Sequence, residues 1–375
     1  MNRNSKSAKF AAEPQMKAII LAGGKGTRLR PLSCNTNKVM VPLLNRPFLE
    51  HIIYYLRKHN ICEIILTLGY LPEQIQSYFG DGSKFGVKIT YLVEEFPLGS
   101  AGAAKNAEGL LDDSFIVLNG DIFTDFNLTD MLAQHRDGNA ITTMALTPVN
   151  NPTIYGVVET DSQGKVTCFK EKPRRDEIAT NMINAGIYIL EPEILSYIPS
   201  NKFFTFERDI FPAFMERGQV IYGYPFEAYW TDVGTPELYL KLHHDLLNRL
   251  DKSVKFEGGN FVHPAARIKG PVVIGEGCSI DKDSVIKGPV ALGSECRIGE
   301  GATMEGAVLW QRSEVGRGAK LRNCVVASNC YIAEGSEVLD DCVLGNDVVI
   351  GKGNKLAQGI RIWPGKSIET ETISF

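Results

Sequence analysis

Apolar residues recur at every sixth position through the C-terminal third of the chain, at Val262, Ile268, Ile274, Ile280, Ile286, Leu292, Ile298 and Met304. A period of six matches neither the 3.6-residue turn of a helix nor a sustained two-residue alternation, so the backbone must turn a corner after each short strand. In a chain that is 44% hydrophobic, such a run would arise by chance about once in a hundred, all six phases considered. After a short step Val315 and Leu321 keep the spacing, and after another it continues through Ile332, Val338, Leu344, Ile350, Leu356 and Ile362. Four residues beyond each of the first seven aliphatics lies a second, smaller inward position, held by Ala266, Val272, Cys278, Ser284, Val290, Cys296 and Ala302. Units of this kind cannot bury their apolar side alone and must stack on one another.

The pattern resembles a left-handed parallel β-helix of hexapeptide repeats, expected over residues 259–375. In it Cys278 and Cys296, three hexapeptides apart, read as small core fillers on adjacent coils. The eight cysteines form no C-x-x-C pair, which fits reduced thiols and a cytoplasmic location. With 375 residues the chain exceeds one ordinary core, so a second domain is expected.

That domain is predicted over residues 16–235, where strand-like runs (Ala18 to Leu21, Glu63 to Leu68, Ile89 to Val93, Phe115 to Leu118) alternate with helical patterns (Phe48 to His59, Pro72 to Phe79, Gly102 to Leu111). Such alternation predicts an α/β fold, a Rossmann-like, mostly parallel sheet with helices on both faces. Residues 1–15 are polar and basic without the apolar core of a secretory signal, and read as a flexible extension. Residues 236–258 read as a bridging helix and linker: Pro236 opens it and Leu238, Leu240, Leu242, Leu246, Leu247 and Leu250 give it an apolar stripe. With 40 basic against 44 acidic residues nothing points to nucleic acid. No apolar run approaches the roughly 20 residues of a membrane span. Exposed coil faces and the apolar bridging helix suggest a homo-oligomer.

The densest chemical signal follows the first strand: Leu21-Ala22-Gly23-Gly24-Lys25-Gly26-Thr27-Arg28-Leu29-Arg30-Pro31-Leu32. Glycines let backbone N–H groups approach phosphate, and nearby cations offset its charge. Neither G-x-x-x-x-G-K-[ST] nor G-x-G-x-x-G is satisfied, which argues against a P-loop ATPase and a dehydrogenase. A glycine-rich loop alone is also compatible with a simple tight turn. Further along come Glu94-Glu95-Phe96-Pro97-Leu98-Gly99-Ser100-Ala101-Gly102-Ala103, Leu118-Asn119-Gly120-Asp121, Tyr155-Gly156-Val157-Val158, Phe169-Lys170-Glu171-Lys172-Pro173, Asn184-Ala185-Gly186 and Trp230-Thr231-Asp232-Val233-Gly234.

Taken in order, these segments resemble the signature of the sugar-1-phosphate nucleotidyltransferases, the nucleotide-sugar pyrophosphorylases, from Met16 to the end of the chain. The resemblance implies transfer of a nucleotidyl group from an NTP to a sugar 1-phosphate with release of pyrophosphate. It implies that Leu21, Ala22, Gly23, Gly24, Gly26, Thr27, Glu94, Pro97, Gly99 and Ser100 bind the nucleotide. Arg28, Lys38 and Lys172 are the implied catalytic cations, Lys172 also holding the sugar phosphate. Gly156, Glu171 and Asn184 line the implied sugar site, and Asp121 and Asp232 hold the implied Mg²⁺. Two carboxylates without histidine or cysteine suit that cation. One departure stands out. Family members usually flank the lysine equivalent to Lys38 with prolines, whereas this chain reads Thr36-Asn37-Lys38-Val39-Met40-Val41-Pro42, so a more mobile loop is expected.

Glu94 bears on the base. A carboxylate only accepts hydrogen bonds, matching the N1–H and N2–H₂ donors of guanine, whereas a glutamine both donates and accepts, as a pyrimidine requires. With its P-L-G-S-A-G-A context, Glu94 makes the chain resemble the mannose-1-phosphate guanylyltransferases of the family. Alternatives are glucose-1-phosphate thymidylyl- or uridylyltransfer, and a non-catalytic nucleotide-sugar-binding regulator. Acyl transfer by the repeats is a further reading, disfavoured because they contain one histidine, His263. His51, His59, His135, His243 and His244 lack metal spacing and read as solvated or capping residues. Tyr222, Tyr224, Phe226, Tyr229 and Trp230 form either a sugar-site wall or a packed strand face.

Overall fold

The computed structural model describes residues 16–138, 140–250 and 253–374; the expected N-terminal extension, residues 1–15, lies outside the described residues. Nine runs rich in β-branched and aliphatic residues form one sheet: β1 Lys17–Ala22, β2 Glu63–Leu68, β3 Lys88–Val93, β4 Phe115–Asn119, β5 Thr142–Pro148, β6 Gly156–Thr160, β7 Val166–Glu171, β8 Met182–Leu190 and β9 Ile221–Pro225. The order is β7-β6-β8-β4-β1-β2-β3, with β5 also on β8 and β9 on β5. Strands β4, β1, β2 and β3 are parallel. From β8, antiparallel to β4, the sheet turns mixed: β8 is antiparallel also to β5 and β6, while β9 pairs parallel with β5, so the unbroken parallel order is confined to the first half of the domain.

The chain runs from β1 outward to β2 on one side and later returns to β4 on the other. The carboxyl ends of β1 and β4 therefore lie side by side, Leu21 opposite Asn119, at the switch point where open α/β sheets hold their ligands. Helices α1 (Phe48–Lys58), α2 (Pro72–Phe79) and α4 (Leu128–Gly138) cover one face, and α3 (Gly99–Asn106) and α5 (Phe211–Glu216) pack into the apolar cluster on the other. Helix α3 begins three residues earlier than its apolar pattern predicts. The Phe204 carbonyl accepts the N–H groups of both Ala101 and Gly102, satisfying donors that the first turn leaves open.

From Val254 onward three parallel ladders wind around a dry core. The coil opens earlier than residue 259, because Val254–Phe256 pairs in register with Val272–Ile274. Phe256 continues the period of six, but at the open end of the coil it lacks a layer below and is half exposed. The inward positions from Ile274 to Leu356 are buried, whereas Val262, Ala266, Ile268 and Ile362 are only partly covered near the ends. Both phase steps have one origin. Corners at Gly306–Ala307 and Asn323–Cys324 are one residue shorter than at Gly288–Val290, with strand register kept on either side. Cys278, Cys296, Cys324, Cys330 and Cys342 are buried and all eight cysteines are free thiols.

One outward face of the coil is apolar. Val273, Ala291, Val308, Val325 and Val343 are buried in the same cluster as Tyr239, Leu240, Leu242 and Leu247 of α6, Pro236–Asn248. Another face carries ion pairs between neighbouring coils, Lys287 to Glu305 at 2.5 Å and Lys320 to Glu337 at 2.8 Å. The β-helix thus docks by the only outward ladder that lacks charge along its middle. Asn45 Nδ2 donates to the Leu292 carbonyl at 2.8 Å, and Arg361 pairs with Glu237 at 2.5 Å across the same boundary.

Helix α6 turns Tyr239 and His243 inward along with Leu240, Leu242 and Leu247, while Leu238, Leu246 and Leu250 are only half-buried. Its stripe is occupied within the chain, which removes it as an argument for self-association. The histidines also differ from expectation. None of His51, His59, His135, His243 and His244 is exposed. His135 hydrogen-bonds Thr143 at 2.8 Å and Glu191 at 2.9 Å. His263 Nδ1 accepts from the Ala265 N–H at 3.1 Å, a turn-forming contact. No helix among the described residues is long and apolar enough to cross a membrane.

Two outward valines test the docking. Val308 is 2% exposed and faces the α/β half, whereas Val285 is 37% exposed on another face. Val308→Lys is expected to lower stability by about 3 kcal/mol, through burial of an unpaired charge. Val285→Lys is expected to stay within about 0.5 kcal/mol. Urea unfolding of both variants measures the contrast.

Candidate active site

At the carboxyl ends of the parallel strands lie two cavities, of about 470 and 180 Å³. Leu21, Ala22, Gly23, Gly24, Gly26 and Thr27 from the loop after β1 line the larger one, together with Glu94, Pro97, Gly99 and Ser100. Gly156, Glu171, Lys172, Asn184 and Asp232 line the smaller one. Arg28, Asn119 and Asp121 line both, and Lys38 joins them in the larger cavity. Every nucleotide, sugar-phosphate, catalytic and metal residue expected from the sequence therefore borders one continuous cleft, built from eight separate stretches of chain.

The loop after β1 is shaped around Lys38. Gly26 has φ +60°, and a Cβ there would sit 2.9 Å from the Lys38 Cβ, so only glycine fits both backbone and neighbour. Lys38 Nζ then reaches Asp121 Oδ2 at 2.5 Å. The loop carrying Lys38 is not loosened by its lack of prolines. Asn37 is fully buried and fastens it: its side chain accepts from the Val39 N–H at 3.0 Å and donates to the Tyr70 carbonyl at 2.5 Å, and its N–H donates to Gln74 Oε1 at 2.8 Å. A helix-capping amide thus replaces the rigid rings with hydrogen bonds.

Asp121 lies in the turn two residues beyond β4, and Asp232 follows Trp230 and Thr231 on a short strand that pairs antiparallel with Ile122–Thr124. This pairing brings the two carboxylates together. Their proton affinities diverge. Burial would raise Asp121, but the adjacent Lys38 ammonium, helped by Arg28, holds it below the usual carboxylate range. Burial and the neighbouring Asp121 charge raise Asp232, partly offset by the Tyr155 hydroxyl, which donates to Asp232 Oδ1 at 2.8 Å. Arg28 Nη2 stands 4.0 Å from Asp232 Oδ2. Two carboxylates with no nitrogen or sulfur donor beside them fit a hard divalent cation completed by phosphate oxygens and water. Among the described residues no group of three His, Cys, Asp or Glu side chains could hold a metal unaided.

In the smaller cavity Gly156 makes room for its neighbour, since a Cβ there would lie 2.9 Å from Glu171 Oε2. Burial, and then the charge of Glu207, raises the Glu171 carboxyl. Lys172 has φ +50°, a left-handed conformation that costs a non-glycine residue about 1 kcal/mol. It directly follows β7, and its side chain is 58% exposed and 3.9 Å from Glu171. Asn184 Nδ2 donates to the Tyr188 hydroxyl at 2.7 Å, which donates to Glu207 Oε1 at 3.1 Å. Glu207 Oε2 accepts from Ser100 Oγ at 2.8 Å. Glu207 thus ties the sides of the two cavities together.

Glu207, Tyr155 and Asn119 line the cleft without having been assigned to it from the sequence. Asn119 and Tyr155 lay inside the quoted motifs, two residues before Asp121 and one before Gly156. Glu207 lies in none of them; with Phe206, Asp209 and Phe211 it reads in the sequence as a helix start that positions the aromatic wall, not as a lining residue. Of the aromatic cluster, only Trp230 borders the cleft, its Nε1 donating to the Ala185 carbonyl at 3.0 Å. Phe226 instead stacks on Phe126 in the core, and Tyr229 donates to Asp245.

The family profile described as nucleotidyl transferase matches residues 17–249, and one described as the EIF2B subunit epsilon LbH domain matches residues 256–356. The mannose-1-phosphate guanyltransferase of Candida albicans is 38% identical over 367 residues, covering 95% of this chain and 98% of that protein. The UTP–glucose-1-phosphate uridylyltransferase of Synechocystis sp. is 36% identical over 351 residues, covering 87% and 90%. Among solved structures, HddC from Yersinia pseudotuberculosis complexed with GMP-PN superimposes with a TM-score of 0.53 at 32% identity, covering 60% of this chain and 97% of that one.

The split between the two aspartates sets a pH dependence. As pH falls, Asp232, raised, takes up its proton before Asp121, lowered. Divalent-metal affinity is therefore expected to decline on the acid side with one proton displaced per metal bound, and Asp232→Asn is expected to weaken binding and flatten that dependence. Calorimetric titration of the full chain with Mn²⁺ across pH measures both.

Proposed function

This chain belongs to the sugar-1-phosphate nucleotidyltransferase family, and from that premise we propose that it forms GDP-mannose from GTP and mannose 1-phosphate with Mg²⁺. The observation that carries the reading is the meeting of two cavities at Arg28 and Asp121. One cavity is lined by a glycine-rich loop suited to a nucleoside triphosphate, and the other by hydroxyl-binding and cationic side chains suited to a sugar phosphate. A phosphate oxygen of the sugar substrate, held by Lys172, attacks the α-phosphorus. The bond from that phosphorus to the bridging oxygen breaks, and pyrophosphate departs in line. Arg28 and Lys38 offset the negative charge that gathers on the transferring and leaving groups. Asp121 and Asp232 are the residues that would hold Mg²⁺, which supplies charge neutralisation to the phosphates when bound. Lys38, paired with Asp121 in the absence of substrate, would exchange that partner for phosphate.

The base preference is assigned to Glu94. Its Oε2 accepts from the Leu98 N–H at 3.2 Å, and a Cβ on Gly23 would come within 3.4 Å of it, so the carboxylate is held against the glycine loop. Burial raises its carboxyl, partly offset by the Leu98 N–H. An acceptor in that position suits guanine. The guanyltransferase of Candida albicans supports GTP and mannose 1-phosphate, while the uridylyltransferase of Synechocystis supports the competing pair, UTP and glucose 1-phosphate. A nucleotide-sugar binder without turnover would not require both aspartates and all three cations on one cleft.

Pyrophosphate release measured with Mg²⁺ across GTP, dTTP, UTP, ATP and CTP, each against mannose 1-phosphate and glucose 1-phosphate, is expected to be strongest for GTP with mannose 1-phosphate. Glu94→Gln is expected to shrink the preference for GTP over UTP at least tenfold, the scale of one mismatched buried hydrogen bond. A maximum at UTP or dTTP with glucose 1-phosphate would overturn the base assignment.

A further inference from the structure

The loop that carries Lys38 is held at two ends by different parts of the molecule. At Asn37 it is fastened to Tyr70 and Gln74 within the catalytic half. At Pro42 it is fastened from the far side. The Pro42 carbonyl accepts from the Tyr239 hydroxyl and, at 3.1 Å, from His243 Nε2, both on α6. The Tyr239 hydroxyl in turn accepts from Trp310 Nε1 of the β-helix at 2.9 Å. All three side chains are at least 97% buried. Between loop and coil lies a cavity of about 300 Å³ lined by Thr36, Met40, Pro42, Trp310 and Gln311 among others. Val39, Val41 and Leu43 anchor the loop in the apolar core, but beside this cavity packing is incomplete and directional hydrogen bonds supply the remaining restraint.

We propose that Tyr239 is a positioning residue for the nucleotidyl transfer, through which Trp310 of the β-helix sets the Lys38 loop. This rests on the role given to Lys38 above. The geometry is specific. Trp310 gives the hydroxyl a donor, which leaves its single proton for Pro42. The Tyr239 ring sits 4.7 Å from the His243 ring and 6.4 Å from that of Trp310, edge-on to both, which fixes where the hydroxyl can point. Burial drives His243 down to about 3, so its neutral ring donates to Pro42 across the whole working range and the second tether does not switch. Lys38 lies four residues from Pro42 with a single short turn, Lys38–Met40, between them. A shift at Pro42 therefore reaches the ammonium with little slack. The β-helix, remote from the reacting phosphates, reaches the loop through this buried carbonyl, with a longer contact from Asn346 Nδ2 to Thr36 Oγ1 at 3.5 Å beside it.

The test uses the full chain with Tyr239→Phe and, because the first variant leaves the Trp310 N–H unpartnered, also Trp310→Phe. Amine labelling resolved by mass spectrometry reads the environment of Lys38 without reference to activity. Its side chain is 11% exposed, and Lys105, 14% exposed and remote from the loop, serves as the internal control. Labelling of Lys38 is expected to rise several-fold in both variants with that of Lys105 unchanged. Where the wild type releases pyrophosphate, kcat is expected to fall about fivefold while KM for the sugar phosphate stays within about twofold. Unchanged Lys38 labelling in both variants, or an equal rise at Lys105, would overturn the inference. Failure of the wild type to turn over would count against the functional reading and leave the labelling comparison standing.

Discussion

The contact between Lys38 and Asp121 joins a loop that follows the first strand to the end of the fourth, and the rest of the cleft is arranged around it. Without the lysine, Asp121 and Asp232 would be two facing carboxylates in a partly buried site, and repulsion would protonate one of them. With it, Asp121 is kept ionised and the cost falls on Asp232, whose acidity is weakened and whose charge is steadied by Tyr155 and Arg28. On the proposed reading the site is preorganised for polyanions, since its cations and carboxylates already balance one another and would exchange partners when phosphate and metal arrive.

That balance requires the lysine loop to stay in place, which explains why so much of the molecule converges on it. Gly26 clears space for its backbone, Asn37 caps its turn and α6 fastens its far end. The β-helix contributes by docking an uncharged outward ladder, with Trp310 and Asn45 crossing the boundary by hydrogen bonds. A coil of stacked short strands is well suited to this task, because each layer is tied to its neighbours by a continuous ladder and yields little.

Much of the plan was legible in the chain. The period of six exposed the coil because its inward positions tolerate only apolar or small residues, layer after layer. The glycine loop, Gly-Asp and Asp-Val-Gly segments were legible because phosphate and metal chemistry restrict residue type at close range. Other features escaped. Glu207 reaches the cleft from a π-helical turn, Phe206–Ile210, distant in sequence from every motif, and only its contacts with Ser100 and Tyr188 reveal it. The loss of prolines around Lys38 read as loosening because proline stiffens locally, whereas the stiffening by Asn37 depends on Tyr70 and Gln74 from another part of the chain. The histidines read as solvated or capping because their type is ambiguous, and only packing shows that His135 and His243 lie inside.

Alone, the sequence determined the α/β class of the first part of the chain, the coil of the second and the residue types gathered in the cleft, because periodicity and short motifs encode interactions made within a few residues or repeated at fixed spacing. Tertiary structure decided which outward face of the coil meets the catalytic half, how far the parallel order extends, and how Lys38, Tyr155 and Glu207 are held. Those outcomes rest on contacts between residues tens to hundreds of positions apart, as when Tyr239 meets Pro42. A hydroxyl or amide carries no mark in the sequence of the partner it will find, and the partner is chosen only when the chain has closed around both.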